Sequence, residues 1–386
     1  MSPLAERLRT ARAQTDALFG LIDPTALYDR PVPDRHRLIF YLGHVEAFDW
    51  NLFSQHALGK SSFHPSFDKL FAFGIDPEPG QAAADQPSDW PREQEVRDYA
   101  ARVRRELDGS LHQTPDQLIH VAIEHRYMHA ETLAYLFHNL PYEKKFPGRA
   151  PRPEARALTE PALAEPAMIE IPAGVATLGR PRGEGFGWDN EFDRHQVQAP
   201  AFRISKYKTT NGEYLEFVRA GASPPHFWIE RDRQFFLRTM FEEIPLPLDW
   251  PVYVTQAEAG AYARWRGKKL PSEVQYHRAA EGASPVNVDF ENWDPVPAGE
   301  SEGESRYGVA QMLGNGWEWT STVFAPFAGF EPFSFYRGYS ADFFDGKHFV
   351  MKGGSPRTAR CLLRRSFRNW FRADYPYVYA GFRLTE

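Results

Sequence analysis

Two histidines spaced four residues apart are the part of this sequence with the clearest chemical potential. His125 and His129 occur in the run His-Arg-Tyr-Met-His-Ala-Glu, inside a helical pattern that extends from about residue 115 to 139. Side chains at positions i and i+4 of a helix share one face, with Cβ atoms roughly 6 Å apart, so two imidazoles can hold one metal ion. His44 lies in another predicted helix and could supply a third imidazole. Three neutral imidazoles leave half of an octahedron open, which suits redox iron and oxygen chemistry.

The neighbouring histidines do not belong to the same helix face. His120 precedes His125 by five residues, which takes it off the ligand face, and His138 lies near the end of the helical pattern. We interpret both as structural or as compensating the helix dipole. A histidine pair at this spacing is, taken alone, more often a surface or packing feature than a metal site. The metal hypothesis therefore needs support from the rest of the chain.

Four amphipathic segments could position these histidines. The predicted helices span about residues 4–21, 35–58, 92–111 and 115–139. Asp34 is a candidate N-cap for the second helix and Gly59 its stop signal, while Thr114-Pro115-Asp116-Gln117 has the pattern of a capping box with proline at the first helical position. Residues 61–91 are rich in Pro, Gly, Asp and Phe and predict a long connection. Four such helices favour a bundle, whose interior is a usual place for metals.

The composition and the predicted secondary structure of the chain change after the fourth helix. Residues 147–166 are rich in Pro, Ala and Glu, so we predict a helical domain at 1–150, a linker at 151–166 and a second domain at 167–386. In the second domain, short β-like runs alternate with Gly/Pro turns, and helices are predicted only at about 211–220 and 255–266. This pattern is typical of an irregular α+β domain with long ordered loops, which often carry binding groups.

Composition restricts the class of protein further. The chain has 386 residues, 42% of them hydrophobic, and a net charge of -6, and no basic stripe that would favour nucleic acid stands out. Its single cysteine, Cys361, excludes an internal disulfide and fits a reducing cytosol. No apolar run approaches the ~20 residues of a membrane span, and the start of the chain lacks the pattern of a signal peptide. We therefore predict a cytoplasmic protein with no membrane or nucleic-acid partner.

Several motifs of the second half occur together in one order. They are Leu270-Pro271-Ser272-Glu273, Gly314-Asn315-Gly316-Trp317-Glu318-Trp319-Thr320, Gly353-Gly354-Ser355, Phe367-Arg368-Asn369-Trp370 and Ala380-Gly381-Phe382-Arg383-Leu384. This set resembles the formylglycine-generating-enzyme-like domain, which has a C-type-lectin-like fold. Preceded by a DinB-like four-helix bundle with His-x-x-x-His-x-Glu, the chain resembles the ergothioneine-pathway sulfoxide synthases and their selenoneine synthase branch.

The resemblance implies an α+β multidomain fold and a mononuclear non-haem Fe(II) enzyme. By motif match, the iron ligands would be His44, His125 and His129. The substrate would be hercynine, the trimethylated form of histidine. O₂ would drive bond formation between the imidazole carbon of hercynine and a sulfur donor, or a selenosugar in the selenoneine branch.

The resemblance also assigns substrate and catalytic roles in the second domain. Asn369 would hydrogen-bond the carboxylate of hercynine or its water, and Trp370 would face the quaternary ammonium, a contact worth ~0.5–2 kcal/mol. Arg368 lies beside them and could face the pocket. The family also uses a tyrosine before the Gly-Gly-Ser segment as a proton donor, and Tyr336 and then Tyr339 are the candidates here. A phenol stays protonated at neutral pH and can serve this role.

The sequence departs from the family pattern where substrates bind. Met128 stands where a glutamine often contacts hercynine. Phe371 replaces an aspartate, Tyr375-Pro376 replace an arginine pair, and residues 61–91 contain no arginine. A zwitterionic donor such as glutamylcysteine would lose its charged partners, and burying an unpartnered carboxylate is unfavourable. We therefore expect a neutral, hydroxyl-rich selenosugar or thiosugar as donor, with cysteine and glutamylcysteine as the alternatives.

Two other functions remain open, and a third is disfavoured. A lectin-like domain could bind a ligand without chemistry, and a DinB-like bundle could hold zinc for a thiol transferase. Formylglycine generation is disfavoured, because the chain has one cysteine where that reaction needs a pair. Loss of turnover and of iron in a His129→Ala variant would favour the enzyme over the binding module.

Overall fold

The computed structural model describes residues 2–72, 85–147, 167–299 and 303–386. The chain separates into two units, Met1–Ala150 and Pro151–Glu386, each held together by its own internal contacts. Residues 151–166, predicted to be a linker, lie outside the described residues. Within the described segments, no helix has both the length and the apolar character that crossing a bilayer requires.

The first unit is helical. Its α-helices are α1 (Pro3–Phe19), α2 (Leu38–Phe53), α3 (Pro65–Leu70), α4 (Glu93–Asp108) and α5 (Asp116–His138). A π-helical turn, Ser54–Leu58, follows α2 and ends at Gly59, whose φ of 56° is left-handed. The segment 61–91 is therefore not a plain connection as predicted, because it contains α3.

One predicted helix start and one predicted cap are wrong. The second helix begins at Leu38 rather than after Asp34, and Arg37 occupies its N-cap position without making a side-chain capping hydrogen bond. The side chain of Arg37 lies in a tertiary ion pair instead, with its Nε 2.9 Å from Asp85 Oδ2. The Thr114 capping box does not form either: the Thr114 hydroxyl donates to the Ser110 carbonyl at 3.4 Å, and no side chain caps α5.

Burial of α2 determines how the helical unit is held together. Helix α1 packs against α5, and α2 packs against both α4 and α5. Nearly every residue of α2 is buried, including the polar residues His44, Glu46 and Asp49. A helix that is buried all round must find partners for its polar side chains inside the protein. Arg126 of α5, which is fully buried, is one such partner.

The second unit is an irregular α+β domain. Its elements are β1 (Met168–Ile171), β2 (Gly174–Leu178), β3 (His195–Ala199), β4 (Phe202–Ser205), α6 (Asn211–Arg219), β5 (Trp228–Arg231), β6 (Gln234–Arg238), β7 (Glu243–Pro245), α7 (Gln256–Trp265), α8 (Glu273–Ala279), β8 (Trp317–Val323), β9 (His348–Lys352), β10 (Asn369–Arg372) and β11 (Ala380–Gly381). In a four-stranded sheet of order β10-β9-β8-β11, β9 is antiparallel to both neighbours and β11 is parallel to β8. The predicted fold class, a helical part followed by a lectin-like α+β domain, is confirmed.

Local capping explains the helices of this domain. Thr210, Thr255 and Ser272 each accept a hydrogen bond from the backbone N–H three residues later. The side chain of that later residue accepts a hydrogen bond from the backbone N–H of the capping residue. These capping boxes start α6, α7 and α8. Helices α6 and α7 lie where the sequence predicted them. Helix α8 was not predicted; it is only two turns long and begins at the glutamate of the Leu-Pro-Ser-Glu motif.

The Gly-Asn-Gly-Trp-Glu-Trp motif contributes a buried charged residue and a closely packed glycine to the core of the domain. Its glutamate, Glu318, is fully buried on β8 and pairs with Lys208 at 2.6 Å and with Arg383 at 2.6 Å. Burial alone would raise the pKa of Glu318, but the two cations lower it. Gly314 has a φ of 100°, and a Cβ there would meet the Val286 carbonyl oxygen at 1.9 Å. Through Glu318, the motif joins β8 to Lys208 and to the segment that follows β11.

Candidate metal centre

Three histidines from two helices converge in the helical unit. One ligand nitrogen from each of His44, His125 and His129 can be chosen so that all three lie within 4.8 Å of one another. The Nε2 atoms of His44 and His129 are 3.2 Å apart. Two imidazole nitrogens this close share either a proton or a metal ion, because two lone pairs at this distance repel each other. The i, i+4 pair on α5 thus meets the single histidine of α2.

The ring of His44 is fixed in one tautomer. Its Nδ1 lies 2.7 Å from the carbonyl oxygen of Phe71. A carbonyl can only accept, so Nδ1 carries the proton and donates it, which leaves the Nε2 lone pair directed at His129. The ring also stacks on Phe40, with centroids 4.8 Å apart and planes inclined by 18°. Ligand histidines in metalloproteins commonly donate a hydrogen bond from their second ring nitrogen, as His44 Nδ1 does to Phe71, and that hydrogen bond orients the ring.

The surroundings keep the other two imidazoles neutral. Burial, and then the neighbouring imidazoles, hold the pKa of His125 well below its ordinary value. Burial lowers the pKa of His129 in the same way, with His44 as the next cause. Stacking of His125 on Phe48, with centroids 3.5 Å apart, excludes water from one ring face. Neutral imidazoles are the form that binds metals.

A buried charge cluster lies one turn from the histidines. Arg126 Nη2 lies 2.7 Å from Glu46 Oε2 and 2.6 Å from Asp49 Oδ2, and it also donates to the Val45 carbonyl at 2.9 Å. Arg104 reaches Glu46 Oε1 at 2.6 Å from α4. Burial would raise the pKa of Glu46, but Arg126 and Arg104 lower it to about 2. The cluster therefore cross-links α2, α4 and α5 beside the ligand residues.

This donor set fits a divalent transition metal. His44 and His125 are each only 2% exposed, and His129 is half-buried. Within the part of the chain that the structure describes, no hydrogen-bond partner contacts His129 Nδ1. Three neutral nitrogen donors with no carboxylate among them suit iron or zinc rather than calcium or magnesium, which prefer oxygen. Met128 precedes His129 on α5, is half-buried, and accepts a hydrogen bond from Thr132 at its carbonyl.

An aromatic cluster in the second unit gathers three of the predicted site residues. Tyr339 stacks on Trp188 with ring centroids 4.0 Å apart, and it meets Trp370 edge-on at 5.3 Å and Tyr336 at 5.5 Å. Trp370 in turn stacks on Phe324 at 4.3 Å with an interplanar angle of 6°. Both predicted proton donors and the predicted ammonium-binding tryptophan therefore lie together. Tyr339 is buried within this cluster, whereas Tyr336 is half-buried.

The structure separates Phe371 from Trp370. Alternate residues of a strand point to opposite faces, and on β10 Phe371 stacks on Tyr375 at 5.0 Å, away from the Trp370 cluster. Asn369 uses its side-chain oxygen to accept the Trp370 backbone N–H at 2.9 Å. The predicted hercynine-binding segment thus has two faces with different neighbours.

Arg368 is held by contacts inside its own domain. The side chain is 2% exposed, and its Nε donates to Glu273 Oε1 at 3.0 Å while Nη1 donates to the Ala325 carbonyl at 3.0 Å. The guanidinium also lies 4.1 Å from the ring centroid of Phe327. These contacts tie the residue that precedes β10 to α8, and Glu273 neutralises the charge of Arg368.

Sequence reasoning missed the residues that support the aromatic cluster. Ser340 donates to the Asp189 carboxylate, and Asn190 Nδ2 donates to Ser340 Oγ at 2.9 Å. Burial raises the pKa of Asp189 to about 6, although Ser340 opposes the shift. Asp189 and Ser340 lie about 150 positions apart in the chain. Locally, the sequence shows a Trp-Asp-Asn-Glu run, and the burial of its three polar residues is apparent only in the structure.

Family relationships agree with both units. Residues 154–386 match the family described as Sulfatase-modifying factor enzyme 1-like domain. Hercynine oxygenase from Mycolicibacterium smegmatis is 30% identical over 436 aligned residues, which cover 99% of this chain and 98% of that protein. This chain belongs to the hercynine oxygenase family. The predicted resemblance to the ergothioneine-pathway enzymes is thereby confirmed.

Other relatives of this member of the hercynine oxygenase family are longer. Ergothioneine biosynthesis protein 1 from Schizosaccharomyces pombe is 29% identical over 421 residues, covering 95% of this chain and 54% of that protein. The chain thus spans about half the length of that curated relative. Among solved structures, PvdO from Pseudomonas aeruginosa is 21% identical, with a TM-score of 0.43 over 57% of this chain and 94% of its own.

Proposed function

We propose that this chain catalyses the Fe(II)- and O₂-dependent coupling of a sulfur or selenium donor to the imidazole carbon of hercynine. The observation that carries the proposal is the convergence of His44, His125 and His129, whose ligand atoms lie within 4.8 Å of one another. Membership of the hercynine oxygenase family supports the substrate. The names of the relatives refer to ergothioneine biosynthesis and to hercynine oxygenation.

The residues of the helical unit would hold the metal. His44, His125 and His129 supply three neutral nitrogen donors, and the Phe71 carbonyl keeps the Nε2 lone pair of His44 available. Fe(II) bound there would supply the redox centre that reacts with O₂. The buried Arg126 cluster fixes the two helices that carry the ligands, so little reorganisation accompanies binding.

The residues of the second unit would bind hercynine and move a proton. Trp370 offers an aromatic face to the trimethylammonium group, and Asn369 offers an amide to the carboxylate. Between the two tyrosines, Tyr336 is the better proton donor, because Tyr339 is only 6% exposed and packed against Trp188. A phenolic O–H positioned within reach of a reacting oxygen acts as a general acid.

For the donor, we favour a neutral selenosugar over cysteine or glutamylcysteine. Phe371 and Tyr375, which stand where the resemblance places an aspartate and an arginine, stack on each other at 5.0 Å. This stacked pair offers no ion pair to the charged ends of a peptide, which disfavours cysteine and glutamylcysteine. A thiosugar, which is likewise neutral and hydroxyl-rich, is the next choice.

The test is anaerobic reconstitution with Fe(II), followed by O₂ and product mass analysis. Hercynine would be supplied with a selenosugar, cysteine or glutamylcysteine in parallel, and we expect the highest turnover with the selenosugar. His129→Ala should abolish turnover and iron loading, whereas His120→Ala, on the same helix but off the ligand face, should retain both. Turnover with zinc and no O₂ would refute the proposal, as would hercynine binding with no product from any donor. Faster turnover with a peptide thiol would refute only the donor assignment.

A further inference from the structure

The residue that orients His44 belongs to a segment outside the four predicted bundle helices. Phe71, whose carbonyl accepts the His44 Nδ1 proton at 2.7 Å, directly follows the short helix α3. Its own N–H donates to the Phe67 carbonyl at 3.0 Å, so the position of the Phe71 carbonyl depends on where α3 is placed. The placement of α3 therefore bears directly on His44.

One carboxylate fastens α3 to two helices of the bundle. Asp68 is buried, and its Oδ2 accepts the Trp50 indole N–H of α2 at 3.0 Å, while its Oδ1 accepts the Tyr99 hydroxyl of α4 at 2.7 Å. The Asp68 carbonyl also accepts Asn51 Nδ2 at 3.1 Å. Burial, and then Asp68 itself, raise the pKa of Tyr99, which keeps the hydroxyl protonated as a donor.

The approach of α3 to α2 is close at the position next to the ligand. A Cβ at Gly43 would lie 2.6 Å from the ring atoms of Phe71. Phe71 itself is fully buried. Glycine at position 43 therefore admits the Phe71 ring against α2, beside His44, and any displacement of α3 would shift both the ring and the carbonyl.

We propose that Asp68 is a positioning residue for the metal centre, acting through the Phe71 carbonyl to hold His44 in its ligating tautomer. The proposal rests on the function proposed above for the three histidines. Asp68 does not touch the ligands: it anchors the helix that ends at the carbonyl. Without it, Trp50 and Tyr99 lose their shared acceptor, α3 is held less firmly, and the His44 ring is free to exchange its proton between nitrogens.

The experiment compares Asp68→Ala and Asp68→Asn with a matched control, Asp108→Ala, in the full-length protein. Asp108 is a carboxylate of the same unit that accepts a hydrogen bond from Arg12 at 2.5 Å, and so joins α4 to α1 rather than to α3. Nitrogen-15 NMR of histidine-labelled, metal-free samples reports the His44 tautomer, with a His44→Gln sample for assignment. Fe(II) affinity is measured separately by chelator competition without O₂.

We expect the metal-free wild type to carry the His44 proton on Nδ1 and Asp68→Ala to show both tautomers. Fe(II) affinity of Asp68→Ala should fall by more than about twofold, and by no more than the ~10–100-fold that accompanies loss of a group in direct contact with a metal ligand. Asp68→Asn, which keeps an oxygen acceptor, should recover most of the affinity. Asp108→Ala should match wild type in both measurements even if its thermal midpoint falls.

An unchanged tautomer together with Fe(II) affinity within twofold of wild type in Asp68→Ala would overturn the proposal. Equal losses in Asp108→Ala would also overturn it, because the effect would then be general destabilisation. If Asp68→Ala does not fold, Tyr99→Phe removes one hydrogen bond of the anchor and should give a smaller loss of the same kind. A wild type that shows the tautomer but binds no Fe(II) would refute the proposed function while leaving the positioning role of Asp68 intact.

Discussion

Arg126 Nη2 and Asp49 Oδ2 lie 2.6 Å apart in the interior of the helical unit, where neither side chain has any exposure to solvent. Burial raises the pKa of Asp49 even though Arg126 opposes the shift. The guanidinium of Arg126 therefore compensates the charge of Glu46 and also contacts Asp49. Arg126 directly follows His125 in the sequence. Such a cluster contributes to the uniqueness of the packing, and removing one member leaves the others without their partner.

We expect Arg126→Met to lower the free energy of unfolding of the helical unit by about 3–5 kcal/mol, because it leaves buried carboxylates uncompensated. Urea unfolding followed by helical circular dichroism measures the change. Arg97→Met, which breaks the exposed pair with Glu93, is the control and should change stability by less than about 1 kcal/mol. Equal effects of the two substitutions would contradict the role of the buried cluster.

Tyr336→Phe should reduce kcat by about 10²–10⁴-fold, because the proposed general acid is removed while the aromatic ring remains. The KM for hercynine should stay within a few-fold of wild type. Tyr339→Phe is the matched control: its stacking on Trp188 at 4.0 Å needs only the ring, so we expect a small effect. Steady-state kinetics under saturating O₂ measures both. A larger loss in Tyr339→Phe would reverse the assignment of the proton donor.

Trp370→Leu should weaken hercynine binding by about 2–30-fold, the range that corresponds to a cation–π contact of ~0.5–2 kcal/mol. Isothermal titration with hercynine and with histidine separates the ammonium contact from general damage, since histidine lacks the trimethylammonium group. Phe371→Leu alters the opposite face of β10 and should leave hercynine affinity unchanged. A parallel loss of affinity for hercynine and histidine in Trp370→Leu would exclude the proposed contact.

Asp189 should make the second unit less stable as pH rises from about 4 to 6. Burial raises the pKa of Asp189 from 3.8 to about 6, so in this window the unfolded chain loses a proton that the folded protein keeps. The free energy of unfolding then falls with rising pH, by up to about 3 kcal/mol for two pKa units, and levels off above pH 6.

Asp189→Asn keeps the shape of the side chain and cannot ionise, so the pH-dependent difference between wild type and variant should vanish below about pH 4 and grow up to pH 6. Urea unfolding followed by tryptophan fluorescence, at half-unit steps of pH, measures this difference. A constant difference across the range would show that Asp189 titrates normally in the folded protein.

The longer helices and the pairing of His125 with His129 could be predicted from the sequence, because both depend on contacts within a few residues, whereas the short helices α3 and α8 were missed. The i, i+4 spacing alone places two imidazoles on one helix face, and the capping residues Thr210 and Thr255 set the starts of their helices. His44 was a candidate third ligand from its place in another predicted helix, and the family resemblance then supported it. The irregular α+β nature of the second domain followed from its short runs and frequent turns.

Tertiary structure decided what surrounds these residues. Phe71, Asp68 and Arg126 acquire their roles from partners on other helices. Arg37, just before the helix that carries His44, is likewise held by Asp85, a residue 48 positions away.

The support of Tyr339 by Trp188 likewise joins segments about 150 residues apart. Helical spacing is a local property of the chain, so the sequence by itself determined which imidazoles share a face. The tautomer of an imidazole and the compensation of a buried charge depend on distant groups brought into contact by packing, so only the folded protein could decide them.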